Sequence, residues 1–287
     1  MSAFTGTQLV EERSALHALC EDARKRGRRV GFVPTMGALH DGHLSLVDAA
    51  RAAGADFVVM SIFVNPLQFG PNEDFSKYPR TFDQDLALCR SRKVDAVYVP
   101  DGRAMYPAGF QTHVEVSELT KRFEGEARPT HFRGVTTVVL KLFAAVGPCI
   151  AAFGRKDYQQ WRVIDRMARD LDLPVEVLGC AIAREPDGLA MSSRNRYLDP
   201  GQRSRATAIH RGLNAAEQAY RAGERDPAQL EAIARAVIEP SFDAIDYVTA
   251  ADAETLAPLS SPSAGPVVML VVARLGATRL LDNRVLG

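Results

Sequence analysis

Residues 30–54 read VGFVPTMGALHDGHLSLVDAARAAG, and this stretch decides the architecture. Val30–Val33 is an apolar, strand-like run, and Leu44–Ala53 has the texture of a helix that stops at Gly54. Between them lies Pro34-Thr35-Met36-Gly37-Ala38-Leu39-His40-Asp41-Gly42-His43. A strand that passes through a glycine-bearing turn into a helix N-terminus aims backbone N–H groups at an anion. His40 and His43, three residues apart at that helix start, can face one ligand, and Gly42 between them permits a phosphate close to the backbone. The layout is that of a site that stabilises phosphate charge.

Outward from this turn the chain alternates. Gln8–Arg26 has helical spacing through Val10, Leu16, Leu19 and Ala23, ending at Gly27. Ala55–Val64 is almost unbroken apolar, as expected of a parallel strand covered on both faces. Thr81-Phe82-Asp83-Gln84 fits a capping box opening a helix to about Arg92, and Val94–Pro100 reads as a third strand. Val135–Val146 reads as a helix and Cys149–Phe153 as a strand. Asp157 and Gln160 begin a helix through Leu171 with Trp161, Ile164 and Met167 or Ala168 inward, and Val175–Ile182 is a fifth strand. This order predicts an α/β fold: a Rossmann-like, doubly wound parallel sheet of five or so strands. Such sheets bind ligands beyond the carboxyl ends of their strands, where the polar clusters of this chain fall.

From about residue 183 the texture changes. Asp199-Pro200 caps a helix to about Ala222, and Pro227–Val237 gives another. Strand-like runs follow at Ile245–Thr249, Val267–Arg274 and, briefly, Arg279–Asp282. The expectation is a catalytic domain over residues 1–182 and a smaller α+β domain over 183–287.

Of the 287 residues 46% are hydrophobic and 24% charged, an ordinary globular balance. Lys+Arg and Asp+Glu both number 35, so no net field draws the chain to nucleic acid or to an anionic membrane. The four cysteines, Cys20, Cys89, Cys149 and Cys180, are scattered without a Cys-x-x-Cys pair, which predicts thiols in a reducing compartment. No apolar run approaches the roughly eighteen residues of a membrane span, and MSAFTGTQLVEERS lacks a signal-type apolar core. A cytoplasmic setting is expected.

Other clusters carry candidate chemistry, each with a plainer alternative. Asn65 and Gln68 in FVNPLQF offer amides for hydroxyls and carboxylates, or form an Asn-Pro turn. Gly154-Arg155-Lys156-Asp157 places a lysine at a strand end, or is an ordinary junction with a capping aspartate. Met191-Ser192-Ser193-Arg194 makes a second anion cradle with a forked guanidinium, or a simple turn. Arg128 and His131 lie in a basic patch that also reads as a solvated loop. Asp83 and Asp85 could hold magnesium, or complement a helix dipole. Zinc at His40 and His43 lacks nearby ligands to complete a set. Neither Gly-x-Gly-x-x-Gly nor a P-loop is present.

Taken in order, PTMGALHDGH, FVNPLQF, YPRTFDQD, HFRGVTTVVLKLF, FGRKDYQQ and DGLAMSSRNRYL resemble the pantoate–β-alanine ligase family from about Val30 to Leu198. His-x-Gly-His alone would indicate only the wider nucleotidylyltransferase superfamily, whose plain AMP-transferring members are the alternative. The resemblance implies condensation of (R)-pantoate with β-alanine, driven by ATP through a pantoyl-adenylate, releasing pyrophosphate and AMP. It implies His40, His43, Lys156 and Arg194 as catalytic groups, with His43 the proton donor to the leaving group. ATP contacts would come from Pro34, the turn Met36–His43, Gly154–Asp157, Ala183 and Met191–Arg194. Gln68 and Gln160 would bind pantoate, with Asn65, Arg128 and His131 also among the substrate contacts. Asp85 would position Mg2+ carried by ATP, the small domain would close over the site, and a homodimer is a family expectation. Thr130 stands where the family usually has glycine, Arg155 replaces a common acidic residue, and Gln84 lies where some members carry aspartate.

Overall fold

The computed structural model describes residues 6–287 apart from Asn72 and Asp74; the reading of the N-terminal stretch as free of a leader extends into residues 1–5, outside that range. The chain forms β1 Gln8–Val10, α1 Arg13–Lys25, β2 Val30–Thr35, α2 Asp41–Ala52, β3 Phe57–Ile62, α3 Phe82–Ser91 and β4 Ala96–Tyr98. Two one-turn helices, α4 Gly102–Met105 and α5 Glu124–Ala127, lead to α6 His131–Val146, β5 Cys149–Gly154, α7 Tyr158–Asp170 and β6 Val175–Cys180. Then come α8 Pro200–Ala206, α9 Ala208–Arg221, α10 Pro227–Ile238, β7 Ala244–Asp252, β8 Val267–Leu275 and β9 Thr278–Leu286.

Six parallel strands make the main sheet in the order β1-β4-β3-β2-β5-β6. From β2 the chain winds outward through β3 and β4, then returns to add β5 on the other side. The order therefore reverses between β2 and β5, the topological switch point where such sheets open a ligand crevice. Phe57, Val58, Val59, Met60 and Ser61 of β3 are all buried, as befits a strand covered on both faces.

The sheet agrees with the five or so strands expected, its sixth coming from an unexpected segment. Gln8–Val10, expected within the first helix, pairs in parallel with Ala96–Tyr98 as an edge strand, and the helix begins only at Arg13. Thr81 caps no backbone amide of α3; its hydroxyl donates to Asp85 Oδ1 at 3.1 Å instead. The expected capping box gives way to a longer-range use of Asp85, described below. The helix expected from Pro200 to about Ala222 is two helices meeting at Thr207, whose hydroxyl donates back to the Ser204 carbonyl at 2.8 Å. Such back-bonding competes with the helical ladder.

The residues fall into two compact units. One runs to Arg155 and resumes over Gln159–Ala181; the other joins Lys156–Tyr158 to Ile182–Gly287. Lys156–Tyr158, expected with the first domain by chain order, group with the second unit. Asn283 Nδ2 donates to the Lys156 carbonyl at 2.7 Å, and the Tyr158 hydroxyl donates to the Ala253 carbonyl at 3.0 Å. Within that unit β7, β8 and β9 form an antiparallel sheet, and Leu213, Leu230, Ile238, Met269, Leu275 and Leu286 build its core with α9 and α10. The last strand runs from Thr278 to Leu286, well beyond the short segment read from the sequence.

Candidate active site

The predicted clusters follow the carboxyl ends of parallel strands. β2 ends at Thr35 and leads into Met36–His43, β3 ends at Ile62 and leads to Asn65 and Gln68, and β5 ends at Gly154 beside Arg155–Asp157. β6 ends at Cys180, just before Ala183.

The turn after β2 is tightly wound. Gly37 has φ +83° and Ala38 φ +51°, so two successive residues are left-handed, and the N–H groups of Ala38 and Leu39 converge on one carboxylate. For alanine this conformation costs about 1–2 kcal/mol. Consecutive N–H groups in such a turn form a concave anion nest. Its occupant is internal: Asp85 Oδ2 accepts from Ala38 N at 2.9 Å, and Oδ1 accepts from Leu39 N at 2.8 Å. Asp85 is 2% exposed, buried with both oxygens engaged. The carboxylate, expected on the metal side, here holds the turn from within. A local reading of YPRTFDQD could not see a partner more than forty residues away.

The histidine pair is arranged differently from a backbone-only phosphate cradle. His40 caps α2: its Nδ1 accepts from Gly42 N at 3.1 Å, and the His40 N–H donates to His43 Nδ1 at 3.3 Å. The amide of Gly42, expected to meet phosphate, is thus engaged by imidazole. An Nδ1 that accepts a hydrogen bond carries no proton, so each neutral ring has its proton on Nε2. The ring centroids lie 4.1 Å apart. The motif therefore sets two adjacent imidazoles, each protonated at Nε2, at a helix N-terminus.

Gln68 sits in a dense network. Asn65 caps a short 3-10 turn at Pro66–Gln68 by accepting from Leu67 N, and its Nδ2 donates to Gln68 Oε1 at 3.1 Å. Gln68 Nε2 rests against Met36 Sδ at 3.0 Å, so the second and first clusters meet. The Gln68 carbonyl accepts from Arg128 Nη2 at 3.1 Å and from His131 Nδ1 at 2.9 Å. Arg128 also grips Glu73 through two nitrogens, and its Nη1 lies 3.2 Å from His131 Nε2. Only a ring protonated at Nδ1 and bare at Nε2 satisfies both His131 contacts. Burial, reinforced by the Arg128 charge, holds His131 neutral with its pKa lowered to about 4. Burial works to raise the Glu73 carboxyl, but the Arg128 guanidinium outweighs it and the net shift is downward. Arg128 and His131, expected as substrate contacts, here secure the backbone of Gln68.

Gln160 is half-buried on the first turn of α7. Its neighbour Gln159 is structural, bonding Glu124 N, Leu119 O and Arg122 O. Thr130 has φ −96° and ψ −8°, a conformation open to any residue, so its departure from glycine leaves the start of α6 undisturbed.

In the second unit Lys156, Asp157, Ser192, Arg194, Asn195 and Asp282 line one cavity. Lys156 Nζ lies 3.8 Å from Asp157. Asp282 is held by Arg184 at 2.6 and 2.9 Å, which offsets its charge, while Lys156 and Arg194 bring positive charge to the lining. Met191 N donates to the Ala183 carbonyl at 2.9 Å and Glu185 N to the Leu189 carbonyl at 2.8 Å, folding 183–191 into a closed loop. Ala183 and the cradle Met191–Arg194 are therefore brought to one place. Ser192 Oγ accepts from Arg194 N at 3.3 Å, fixing the start of a short 3-10 turn.

Residues 8–285 match the family model described as pantoate-beta-alanine ligase. The chain belongs to the pantoate–β-alanine ligase family. It is similar to pantothenate synthetase 1 of Bradyrhizobium diazoefficiens, at 52% identity over 98% of this chain and 97% of that protein. A pantothenate synthetase of Moorella thermoacetica is 50% identical over 97% of this chain and 98% of the relative. The crystal structure of pantothenate synthetase from Thermus thermophilus superposes with a TM-score of 0.90 at 44% identity, covering 96% of this chain and 98% of that one. A pantoate-beta-alanine ligase from Francisella tularensis, complexed with beta-gamma ATP and beta-alanine, matches with a TM-score of 0.78 at 31% identity over 97% of each chain. Members of this family are ligases of pantothenate biosynthesis, and this chain is such an enzyme.

Proposed function

We propose that the chain joins (R)-pantoate to β-alanine in two steps driven by ATP. In the first, a pantoate carboxylate oxygen attacks the α-phosphorus of ATP, forming pantoyl-adenylate and breaking the bond to pyrophosphate. In the second, the amine of β-alanine attacks the acyl carbon, the C–O bond to AMP breaks, and the amine loses a proton. A carboxylate acylates poorly until its oxygen belongs to a good leaving group, so the protein's task is to place two anions together and stabilise phosphate charge.

One observation carries this reading: the His40–His43 pair is held with Nδ1 accepting, which puts each proton on Nε2, an atom able to donate to phosphate oxygens. His43 would donate to the departing pyrophosphate, with His40 holding the phosphates beside it. Pro34 and Met36–His43 would enclose ATP, while Gly154, Arg155, Lys156 and Asp157 would meet ribose and phosphate. Lys156 and Arg194 would offset charge on the pentacovalent phosphorus, and Ala183 and Met191–Arg194 would hold the nucleotide. Gln68 and Gln160 would bind the hydroxyls and carboxylate of pantoate. The beta-gamma ATP and beta-alanine of the Francisella structure support this choice of ligands.

Magnesium is proposed as an ion carried by the ATP phosphates. Among the described residues no three His, Cys, Asp or Glu side chains gather as ligands, and Asp85 is engaged by Ala38, Leu39 and Thr81. These residues do not fit a protein-built magnesium cage, and no step is drawn through the ion. A homodimer in the cytoplasm completes the proposal. The scattered free cysteines support a reducing compartment, and among the described residues no helix is long and apolar enough to cross a membrane. Dimerisation rests on the family resemblance.

The test is AMP release with ATP, magnesium, pantoate and β-alanine, omitting each in turn. AMP should appear only with all four, and pyrophosphate without β-alanine should stop at one equivalent. Multiple-turnover pyrophosphate release that requires a phosphorylated acceptor, with no AMP release dependent on β-alanine, would favour a plain nucleotidylyltransferase.

A further inference from the structure

The tyrosine that ends the one-turn helix α4 has no place in the mechanism above, yet it begins a chain of hydrogen bonds that reaches Gln68. The Tyr106 hydroxyl lies 2.8 Å from Asn65 Oδ1, and Asn65 Nδ2 lies 3.1 Å from Gln68 Oε1. The polarity of this chain is fixed by backbone groups. Leu67 N–H can only donate, so the Asn65 atom it meets at 3.3 Å is the oxygen. The Gly134 carbonyl can only accept, so the Asn65 atom 3.1 Å from it is the nitrogen. Asn65 is 1% exposed and makes all four of these contacts, two accepted and two donated. A fully satisfied buried amide of this kind does not flip without leaving donors and acceptors unpaired.

The consequence passes down the chain. Because Asn65 Nδ2 donates, Gln68 must accept through Oε1, and its Nε2 is the atom turned the other way. That nitrogen rests 3.0 Å from Met36 Sδ, a weak acceptor that an oxygen of a bound acid can replace. We propose that Tyr106 is a positioning residue, whose hydroxyl holds the oriented Asn65 amide in place and thereby steadies the Gln68 amide as a donor toward acceptor oxygens of the acid substrate. This rests on the reading of Gln68 as the pantoate ligand. The device selects a carboxylate or hydroxyl oxygen and disfavours an ammonium group at that position.

Tyr106 is suited to a fixed donor. Its ring packs against Phe63 and Phe110, with centroids 6.3 and 5.1 Å away, and burial pushes its hydroxyl well above the ordinary tyrosine range. The hydroxyl therefore keeps its proton well past neutral pH. Losing the hydroxyl removes one of two donors from Asn65 Oδ1 while leaving Leu67 N in place, so the turn persists and the amide pair is loosened.

The experiment is Tyr106→Phe, read by steady-state kinetics with each substrate varied and by thermal unfolding, beside Gln68→Ala and the double variant. In Tyr106→Phe we expect the KM for pantoate to rise about five- to tenfold, as for loss of one hydrogen bond of roughly 1 kcal/mol. The KM for ATP, kcat and Tm should stay near those of the parent. The double variant should match Gln68→Ala, because the tyrosine acts only through the glutamine. If Gln68→Ala leaves the KM for pantoate unchanged, the reading of Gln68 fails. If Gln68→Ala raises it and Tyr106→Phe does not, or if the two losses multiply, the positioning role of Tyr106 is overturned.

Discussion

The His40 N–H donates to Nδ1 of His43 at 3.3 Å, so the backbone of one histidine sets the tautomer of the other. The proton sits on His43 Nε2, where a glutamine amide nitrogen could stand in for it. The Nδ1 acceptor, by contrast, is mimicked by asparagine. His43→Ala should slow pyrophosphate release in a single turnover by about 10²–10³-fold, the scale of losing one transition-state donor. His43→Gln should recover part of that loss and His43→Asn little of it. Equal rates for these two variants would remove the Nε2 proton from the mechanism.

Asp85 fills the nest formed by Ala38 and Leu39, and its loss leaves two buried N–H groups without their acceptor. Asp85→Ala should therefore cost about 2–4 kcal/mol of stability, at 1–3 kcal/mol for each orphaned donor, with partial relaxation. The KM for ATP should rise because the turn loses its brace, while the magnesium concentration giving half-maximal rate stays unchanged. A large magnesium shift with normal stability would restore Asp85 to the metal.

His131 is neutral in the fold with its pKa lowered to about 4, against an ordinary value near 6.5. Between those values the unfolded chain binds the proton and the folded chain does not, so stability falls as pH drops. The contribution is fully present above pH 6.5 and is lost progressively toward pH 4, on the order of 3 kcal/mol in total. His131→Asn, whose amide nitrogen takes the Nδ1 position and keeps a donor for the Gln68 carbonyl but cannot titrate, should flatten the stability profile in that window. Urea unfolding of both proteins at several pH values measures the difference. Parallel profiles would mean that folding leaves the proton affinity of His131 unchanged.

Gly134 lies on α6 where it faces the Leu67 carbonyl, and a Cβ there would sit 2.2 Å from that oxygen. Glycine to alanine inside a helix ordinarily gains about 1 kcal/mol. Here the overlap, with a typical overpacking cost of about 1–3 kcal/mol, outweighs that gain. Gly134→Ala should unfold at lower urea and raise the KM for pantoate, because the clash displaces the turn carrying Gln68. A stabilised variant would show that the turn yields without harm.

Much of this was legible in the chain, for reasons that differ by element. The turn after β2, and β3 behind it, announce themselves because strand, turn and helix are local and the apolar run is long. Gln8–Val10 was hidden because three residues are too few to show a period of two, and Leu9, seven residues before Leu16, falls in step with the helical spacing of Leu16, Leu19 and Ala23. Histidine, glutamine and lysine positions could be picked out by residue type and by family resemblance. The roles of Asp85, Tyr106 and Asn283 could not, since each bonds a group far away in sequence and no local pattern marks it. Arg128 and His131 were visible as charge and as imidazole; only the fold reveals that they bind Gln68 from behind.

The pairing of Gln8 with Ala96 also bears on how the chain is made. During synthesis Gln8–Val10 leaves the ribosome early but cannot take its place until β4 has followed. β2 and β3 meet across one short helix and can pair long before that. Closing the larger loop carries the greater entropic cost, so β1 should dock after the β2–β3–β4 ladder stands. A ribosome stalled before Ala96 would hold a growing sheet whose outer strand is still waiting.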